Sequence, residues 1–193
     1  MQRKFVVGAM ALALTASGTG AAVAASKKQG PAPTHATVNA VQKVQFKINR
    51  FVKDALRWQK DTYQIKSGGT LHIVNKAHDG PHTFSIVAKK DLPRTAKQLN
   101  ECSICQTIGG WHGITDPNAE GPPPFPASED GQGVADPSTV SFDKPGDSVF
   151  IGENPGDSAD AKITAKKGTK LYFMCAIHPW MHGSIEVRPG PTP

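Results

Sequence analysis

Short segments in which apolar and polar residues alternate, separated by turn residues, constrain the fold of this chain more than any other feature. They lie at residues 44–48, 63–66, 70–75, 82–87, 161–165, 169–175 and 183–187. Alternation places every second side chain on the same face of an extended strand. About seven short strands with turn signals such as Ser67-Gly68-Gly69 between them predict an all-β sandwich.

Two segments depart from this strand pattern. Apolar residues within 51–56 have a spacing that predicts one or two helical turns. Between residues 91 and 146 the alternation lapses into a predicted short helix around 95–107, followed by a stretch rich in Gly and Pro. Because loops of this length are uncommon in compact domains, we interpret 91–146 as a long irregular insertion within a single domain at 39–189.

The two ends of the chain lie outside this predicted domain. Residues 1–25 have the pattern of an export signal, with Arg3 and Lys4 before an apolar run and small residues before the expected cleavage point. The run is shorter than the roughly 20 apolar residues that span a bilayer. Residues 26–38 predict a flexible leader and 190–193 a tail. We therefore expect a periplasmic or extracellular protein with no transmembrane segment after signal removal.

The charge balance restricts the classes of partner. The chain carries 22 Lys and Arg against 16 Asp and Glu, a formal net charge of +6. Loss of Arg3 and Lys4 with the export signal lowers this to +4. The basic residues are dispersed among acidic ones, which argues against a nucleic-acid partner. A modest positive charge remains compatible with an acidic protein partner.

The sharpest chemical feature is the segment Cys175-Ala-Ile-His178-Pro-Trp-Met181. It places a thiolate, an imidazole and a thioether at three-residue intervals directly after a predicted strand. Two histidines and a cysteine with a distant methionine are the ligands of blue-copper centres. Cys175 also lies far from the other two cysteines, and binding of a metal gives an exported protein a reason to keep a thiol unpaired.

A second histidine ligand must come from elsewhere in the chain, and strand parity favours His82. His82 shares a predicted strand face with Phe84 and Ile86, and Cys175 shares one with Leu171 and Phe173. Two ligands directed toward the core from separate strands can meet at one end of a sandwich. The remaining candidates fit less well and are His72, His78 and His182.

These residues resemble the motif of the cupredoxin family. The matching positions are Asn75, Pro81-His82 and Cys175-x-x-His178-x-x-Met181, and the short ligand loop is most similar to that of amicyanin. The resemblance covers roughly residues 40–90 and 147–189. It implies a cupredoxin-like Greek-key β-sandwich and one copper ion, Cu(I)/Cu(II), held by His82, Cys175, His178 and Met181.

The pair Cys102 and Cys105 allows three interpretations: a disulfide, a redox-active dithiol, or half of a second metal site completed by His112. Export favours the disulfide, which would also cross-link the insertion. Attachment of haem is excluded because Gln106, and not a histidine, follows Cys105.

The function predicted from these features is that of a soluble one-electron carrier, monomeric and not an enzyme. Enzymes that resemble cupredoxins contain further copper sites with His-x-His or His-Cys-His patterns, and the sequence has neither. We expect redox protein partners, with an acidic docking surface that meets Pro179 and Trp180. The alternative is a module that traffics, stores or senses copper without shuttling electrons.

Overall fold

The computed structural model describes residues 30–116, 118 and 121–189, so the predicted export signal and tail lie outside the described residues. Fourteen strands and two α-helices form within this part of the chain: β1 His35–Val41, β2 Val44–Lys47, β3 Phe51–Asp54, β4 Arg57–Trp58, β5 Thr62–Lys66, β6 Thr70–Asn75, β7 His82–Val87, α1 Ala96–Asn100, α2 Ser103–Trp111, β8 Ala127–Glu129, β9 Gln132–Val134, β10 Ser141–Phe142, β11 Ser148–Ile151, β12 Ser158–Ile163, β13 Lys170–Met174 and β14 His182–Arg188. Short 3-10 turns cover Lys89–Asp91 and Pro137–Thr139. Neither α-helix in this part of the chain has the length and apolar character needed to cross a membrane.

Two sheets enclose one apolar core. The first has the order β10-β12-β6-β1-β4 and the second β5-β14-β13-β7-β11-β8-β9. Aromatic rings meet between them: Phe84 stacks on Phe142 with centroids 5.8 Å apart, and Trp58 contacts Phe84 and Phe173 edge-on. The predicted all-β sandwich is therefore confirmed, with more strands than the seven expected because several strands are only two to four residues long.

The first strand corrects the predicted boundary of the leader. The sequence predicts a flexible leader over residues 26–38, but β1 begins at His35 and pairs in parallel with β6, with Val38 opposite Ile73. Val38 and Ala40 are fully buried. The sequence signal is weak because Ala36 and Ala40, which share the strand face of Val38, are small.

The prediction of helical turns at 51–56 is also wrong, because this stretch contains β3. Strands β2 and β3 form a separate antiparallel hairpin in which Phe46 is opposite Val52. Asn49 in the turn has φ of 54°, a left-handed conformation that asparagine tolerates better than most residues. Adjacent apolar residues at 51 and 52 fit helical and strand periods equally, so their spacing could not decide between them.

The insertion at 91–146 is more regular than predicted. The helix expected around 95–107 is confirmed as α1 and α2, and β8 and β9 extend the second sheet. Helix α2 covers the outer face of this sheet, where its Ile108 is buried in one cluster with Val87 and Met174. The insertion is thus an integral layer of the fold, and it lies against the strand that ends immediately before Cys175.

Candidate metal centre

Three predicted ligands converge at one end of the sandwich. His82 begins β7, Cys175 directly follows β13, and His178 lies in the loop between β13 and β14. Cys175 Sγ is 3.8 Å from Nδ1 of His82 and 3.8 Å from Nδ1 of His178, and the two nitrogens are 3.2 Å apart. Within the described residues this is the one cluster of His, Cys and acidic side chains with the spacing of a metal site.

These separations suit a single transition-metal ion. Bonds of about 2.0–2.1 Å to nitrogen and about 2.3 Å to sulfur, as found at zinc, place ligand atoms roughly 3.3–3.8 Å apart at tetrahedral to trigonal angles. The observed distances of 3.2 and 3.8 Å are close to this interval. The donors, one soft thiolate and two imidazoles, are those that select copper or zinc over harder cations.

The protein environment partly prepares the Cys175 sulfur for a negative charge. Burial raises the pKa of the thiol, and backbone N–H groups that point at the sulfur oppose this increase. The amides of Thr83 and His178 each donate to Sγ over 3.4 Å. A bound cation would complete the stabilisation of the thiolate, because a metal deprotonates the thiol that coordinates it.

Both histidines favour the neutral form that binds metals. Burial, followed by the positive charge that His178 can carry, lowers the pKa of His82 from 6.5 to about 4. Burial likewise lowers the pKa of His178, partly offset by the charges of Asp79 and Asp54. Around neutral pH each ring therefore offers a lone pair without first having to lose a proton.

Met181 is buried in the same apolar cluster as Cys175, and the backbones of the two residues are hydrogen-bonded to each other. The Cys175 amide donates to the Met181 carbonyl over 2.9 Å, and the Met181 amide donates to the His178 carbonyl over 2.8 Å. These bonds close the ligand loop into a compact turn. The loop therefore holds Met181 close to Cys175 and His178 along the backbone.

Two tryptophans attach this turn to the first sheet. The indole of Trp58, on β4, donates to the Met181 carbonyl over 3.0 Å in the buried interior. The indole of Trp180, whose side chain is largely exposed, donates to the carbonyl of Leu56 over 2.9 Å. The C-terminal end of the ligand loop is thus fixed before any metal arrives.

Asn75 orders the segment that precedes His82. Its amide group donates to the carbonyls of Gly80 and Gly152 over 3.0 Å each, and its side-chain oxygen accepts from the Ala77 amide over 2.9 Å. The residue is fully buried. Its side chain therefore links the turn before His82 to the loop after β11.

Replacing Asn75 by alanine is expected to lower the free energy of unfolding by about 1–3 kcal/mol, because buried backbone groups lose their partners. The midpoint of urea unfolding, measured without metal, checks this. Asn100→Ala, at an exposed position at the end of α1, is the matched control and should change the free energy by less than about 0.5 kcal/mol. Equal effects for the two variants would contradict the structural role of Asn75.

The other candidate residues lie apart from the three ligands. His72 Nδ1 bonds to Asp160 over 2.7 Å at the surface, and His78 is exposed. His182 lies on β14, opposite Met174. Cys102 and Cys105 are joined by a disulfide. His112 is not free to complete a second metal site with them, since both of its ring nitrogens are hydrogen-bonded elsewhere.

A buried chain of hydrogen bonds leads from His112 to the ligand loop, and sequence reasoning missed it. Nε2 of His112 lies 2.8 Å from Ser148 Oγ, which lies 2.7 Å from Ser85 Oγ. Ser85 Oγ lies 3.1 Å from Thr83 Oγ1, and Thr83 Oγ1 accepts from the Ala176 amide over 2.8 Å. The chain joins the insertion to the residue after Cys175. Strand parity predicts that Thr83 and Ser85 face away from the core, yet they are buried because the insertion covers that face.

His112 should make stability fall as the pH decreases. Its Nδ1 donates to the Phe125 carbonyl, so Nε2 must accept from Ser148, and burial lowers the pKa of the ring below 6.5. Because the folded pKa lies below that of the unfolded chain, the stabilisation is present above about pH 6.5 and is lost as the pH falls toward the folded pKa.

Urea unfolding across this pH range, compared between the wild type and His112→Gln, measures the contribution of His112. His82 and His178 have pKa shifts in the same direction and remain in both proteins, so the difference isolates residue 112. The wild type should lose more stability than the variant on acidification. Parallel pH profiles would contradict the prediction.

No protein-family profile and no curated protein sequence matches the chain. Solved structures that match include auracyanin from Roseiflexus castenholzii, with 19% identity, a TM-score of 0.42, and 82% of this chain and 99% of that one covered. A purple cupredoxin from Nitrosopumilus maritimus has 14% identity, a TM-score of 0.39 and coverages of 79% and 98%. Auracyanin A, a "blue" copper protein from Chloroflexus aurantiacus, has 13% identity, a TM-score of 0.39 and coverages of 80% and 98%. At these scores the likeness is too weak to assign a function, which must come from the residues of the site.

Proposed function

We propose that this chain is a mononuclear copper protein that acts as a soluble one-electron carrier. The observation that carries the proposal is the convergence of Cys175 Sγ with Nδ1 of His82 and of His178 at separations of 3.2–3.8 Å. Met181 is proposed as the fourth, weaker ligand, which is the arrangement of blue-copper sites. Copper bound there would supply a one-electron couple between Cu(I) and Cu(II).

The fixed position of the ligands suits electron transfer. Strands β7 and β13 hold His82 and Cys175, while backbone turns and the Trp58 indole hold the loop with His178. Side chains that are already in place need little movement when the charge of the ion changes. A low reorganisation cost is what a carrier requires, and this feature of the site supports the proposal.

A carrier also needs an electron path to the surface. His178 is half-buried, and its ring lies 5.4 Å from that of Trp180, whose side chain is 52% exposed. Pro179 lies between them in the sequence. We propose that Pro179 and Trp180 form the docking patch for a redox protein, and that an acidic surface on the partner complements the basic character of the chain.

Copper trafficking, storage and enzyme catalysis are less well supported. His82 and Cys175 are fully buried, whereas a site that passes copper onward needs ligands that a recipient can reach. Four protein ligands would leave no open position for a substrate, and catalytic metal sites keep one open. The closed site therefore favours electron transfer over both delivery of copper to another protein and catalysis at the metal.

We further propose export to the periplasm or the cell exterior as a monomer. The signal pattern of residues 1–25 and the Cys102–Cys105 disulfide support export, since disulfides persist in oxidising compartments.

Voltammetry of the copper-loaded protein together with a chelator challenge tests the carrier function. A carrier is expected to give a reversible one-electron wave and to keep its copper when the chelator is present in excess. Prompt loss of copper to the chelator in either oxidation state would overturn the proposal in favour of trafficking. An irreversible wave would overturn it as well.

A further inference from the structure

The hairpin of β2 and β3 carries an unusual concentration of exposed apolar side chains. Of the eight large apolar side chains that are exposed in the described part of the chain, five lie on it: Val44, Phe46, Ile48, Phe51 and Val52. Phe46, Ile48 and Val52 are each more than 70% exposed. The hairpin pairs with neither sheet, and every residue of its two strands is exposed. Exposed apolar clusters of this kind mark interaction sites.

Strand pairing gives the hairpin one apolar face. Phe46 lies opposite Val52, so these two side chains project to the same side. Val44 is two residues before Phe46 on the same strand and shares this face. Lys47 and Lys53 project to the opposite side together with Phe51, which is opposite Lys47. One side of the ribbon is therefore mainly apolar, with Asp54 opposite Val44 at its base, and the other side combines two lysines with an aromatic ring.

The charge of the hairpin is strongly positive. It carries four basic residues, Lys43, Lys47, Arg50 and Lys53, and one acidic residue, Asp54. The Asp54 carboxylate accepts a hydrogen bond of 2.7 Å from the neutral side chain of Gln42. Four cations thus surround the exposed apolar side chains and have no salt bridge to a carboxylate within the described residues.

We propose that this hairpin binds the surface of an anionic lipid bilayer. Its apolar side chains protrude from a free ribbon, and a fluid bilayer accommodates protruding groups without a matching cavity. The long lysine and arginine side chains can reach the phosphate groups while their stems follow the apolar surface. The pairing of exposed aromatic and aliphatic groups with cations is the complement of an anionic headgroup layer above acyl chains.

The position of the hairpin would bring the metal centre close to the membrane. Leu56, two residues after the hairpin, accepts the hydrogen bond of 2.9 Å from Trp180 in the ligand loop. A carrier held in this way would meet partners embedded in the bilayer. This consequence rests on the proposed electron-carrier function, whereas binding of the hairpin to lipid does not.

Co-sedimentation with lipid vesicles tests the proposal, using residues 26–193, which include every element that the structure describes. Vesicles of equal parts phosphatidylglycerol and phosphatidylcholine should bind the protein at least about tenfold more tightly than pure phosphatidylcholine, because each basic residue near an anionic surface strengthens binding roughly fivefold. Lys47→Glu/Lys53→Glu and Phe46→Ser/Val52→Ser should each weaken binding to the anionic vesicles at least about tenfold.

The control is Lys166→Glu/Lys167→Glu, which makes the same change in net charge at an exposed turn before β13, at the end of that strand remote from Cys175. It should bind nearly as well as the wild type. Absence of binding to anionic vesicles, or equal losses in the control and the hairpin variants, would overturn the proposal.

Sedimentation velocity without lipid adds a further check: a dimer that Phe46→Ser/Val52→Ser dissociates would overturn the proposal by assigning the hairpin to a second copy of the chain. Metal binding is measured separately by visible absorption, so failure of this proposal is distinguishable from failure of the copper site.

Discussion

Replacing Cys175 by serine is expected to abolish the strong red absorption that the copper-loaded protein should show. This absorption requires a thiolate bound to copper, and Cys175 is the free cysteine among the described residues. The hydroxyl is a much poorer ligand for copper. We expect copper affinity to fall by more than about 100-fold, since even residues that only orient metal ligands contribute about 10–100-fold. Visible spectra and a competition titration with a chelator measure the two effects.

The matched control removes the other two sulfur atoms. Cys102→Ser/Cys105→Ser opens the disulfide, which lies in the insertion and outside the cluster of ligand atoms, and it should leave the red absorption intact. Loss of colour in this control with retention in Cys175→Ser would assign the metal to the insertion and contradict the proposed site.

Replacing Phe173 by alanine should have the largest effect on stability. The side chain is fully buried, with its ring centroid 4.3 Å from that of Phe84 and 6.2 Å from that of Trp58. Removal of a buried aromatic ring costs about 3–5 kcal/mol, because apolar burial is lost and a cavity remains. Urea unfolding of the metal-free protein gives the change in free energy.

Phe46→Ala provides the same substitution at a side chain that is 72% exposed on the hairpin. Its expected effect on the free energy of unfolding is below about 0.5 kcal/mol. A cost of less than about 1 kcal/mol for Phe173→Ala, or similar costs for the two variants, would contradict the description of the core.

Strand parity predicted much of the fold and the convergence of His82 and Cys175 at one end of the sandwich. The predicted strands at 70–75 and 82–87 coincide with β6 and β7. The expectation that Phe173 and Cys175 both point inward is confirmed by their burial. Parity succeeds here because the two sheets bury one face of each of these strands, so alternation in the sequence reports directly on the core.

Elements whose positions depend on residues distant in the sequence could not be predicted. Strand β4 has only two residues, Arg57 and Trp58, too few to show any period. The role of Trp58 depends on the Met181 carbonyl, 123 residues further along the chain. The first strand of the hairpin, β2, lies within the predicted strand at 44–48, but its second strand, β3, was missed because the adjacent apolar residues Phe51 and Val52 show no alternation.

The buried hydrogen bonds next to the site could not be predicted from the sequence either. Ser85 and Ser148 are small polar residues of the kind that usually faces water, yet both are buried. Their hydroxyl groups are hydrogen-bonded to each other over 2.7 Å, and the insertion that covers them also supplies His112, which is hydrogen-bonded to Ser148. Such hydrogen-bond networks depend on which face of the sheet the insertion covers, and the local sequence pattern does not show this.

A crystal structure of the copper-loaded protein, with anomalous scattering recorded at the copper edge, tests the central claim most directly. We predict one strong anomalous peak, within bonding distance of Cys175 Sγ and of Nδ1 of His82 and His178. A peak beside Cys102, Cys105 or the surface histidines, with none between these three atoms, would contradict the account.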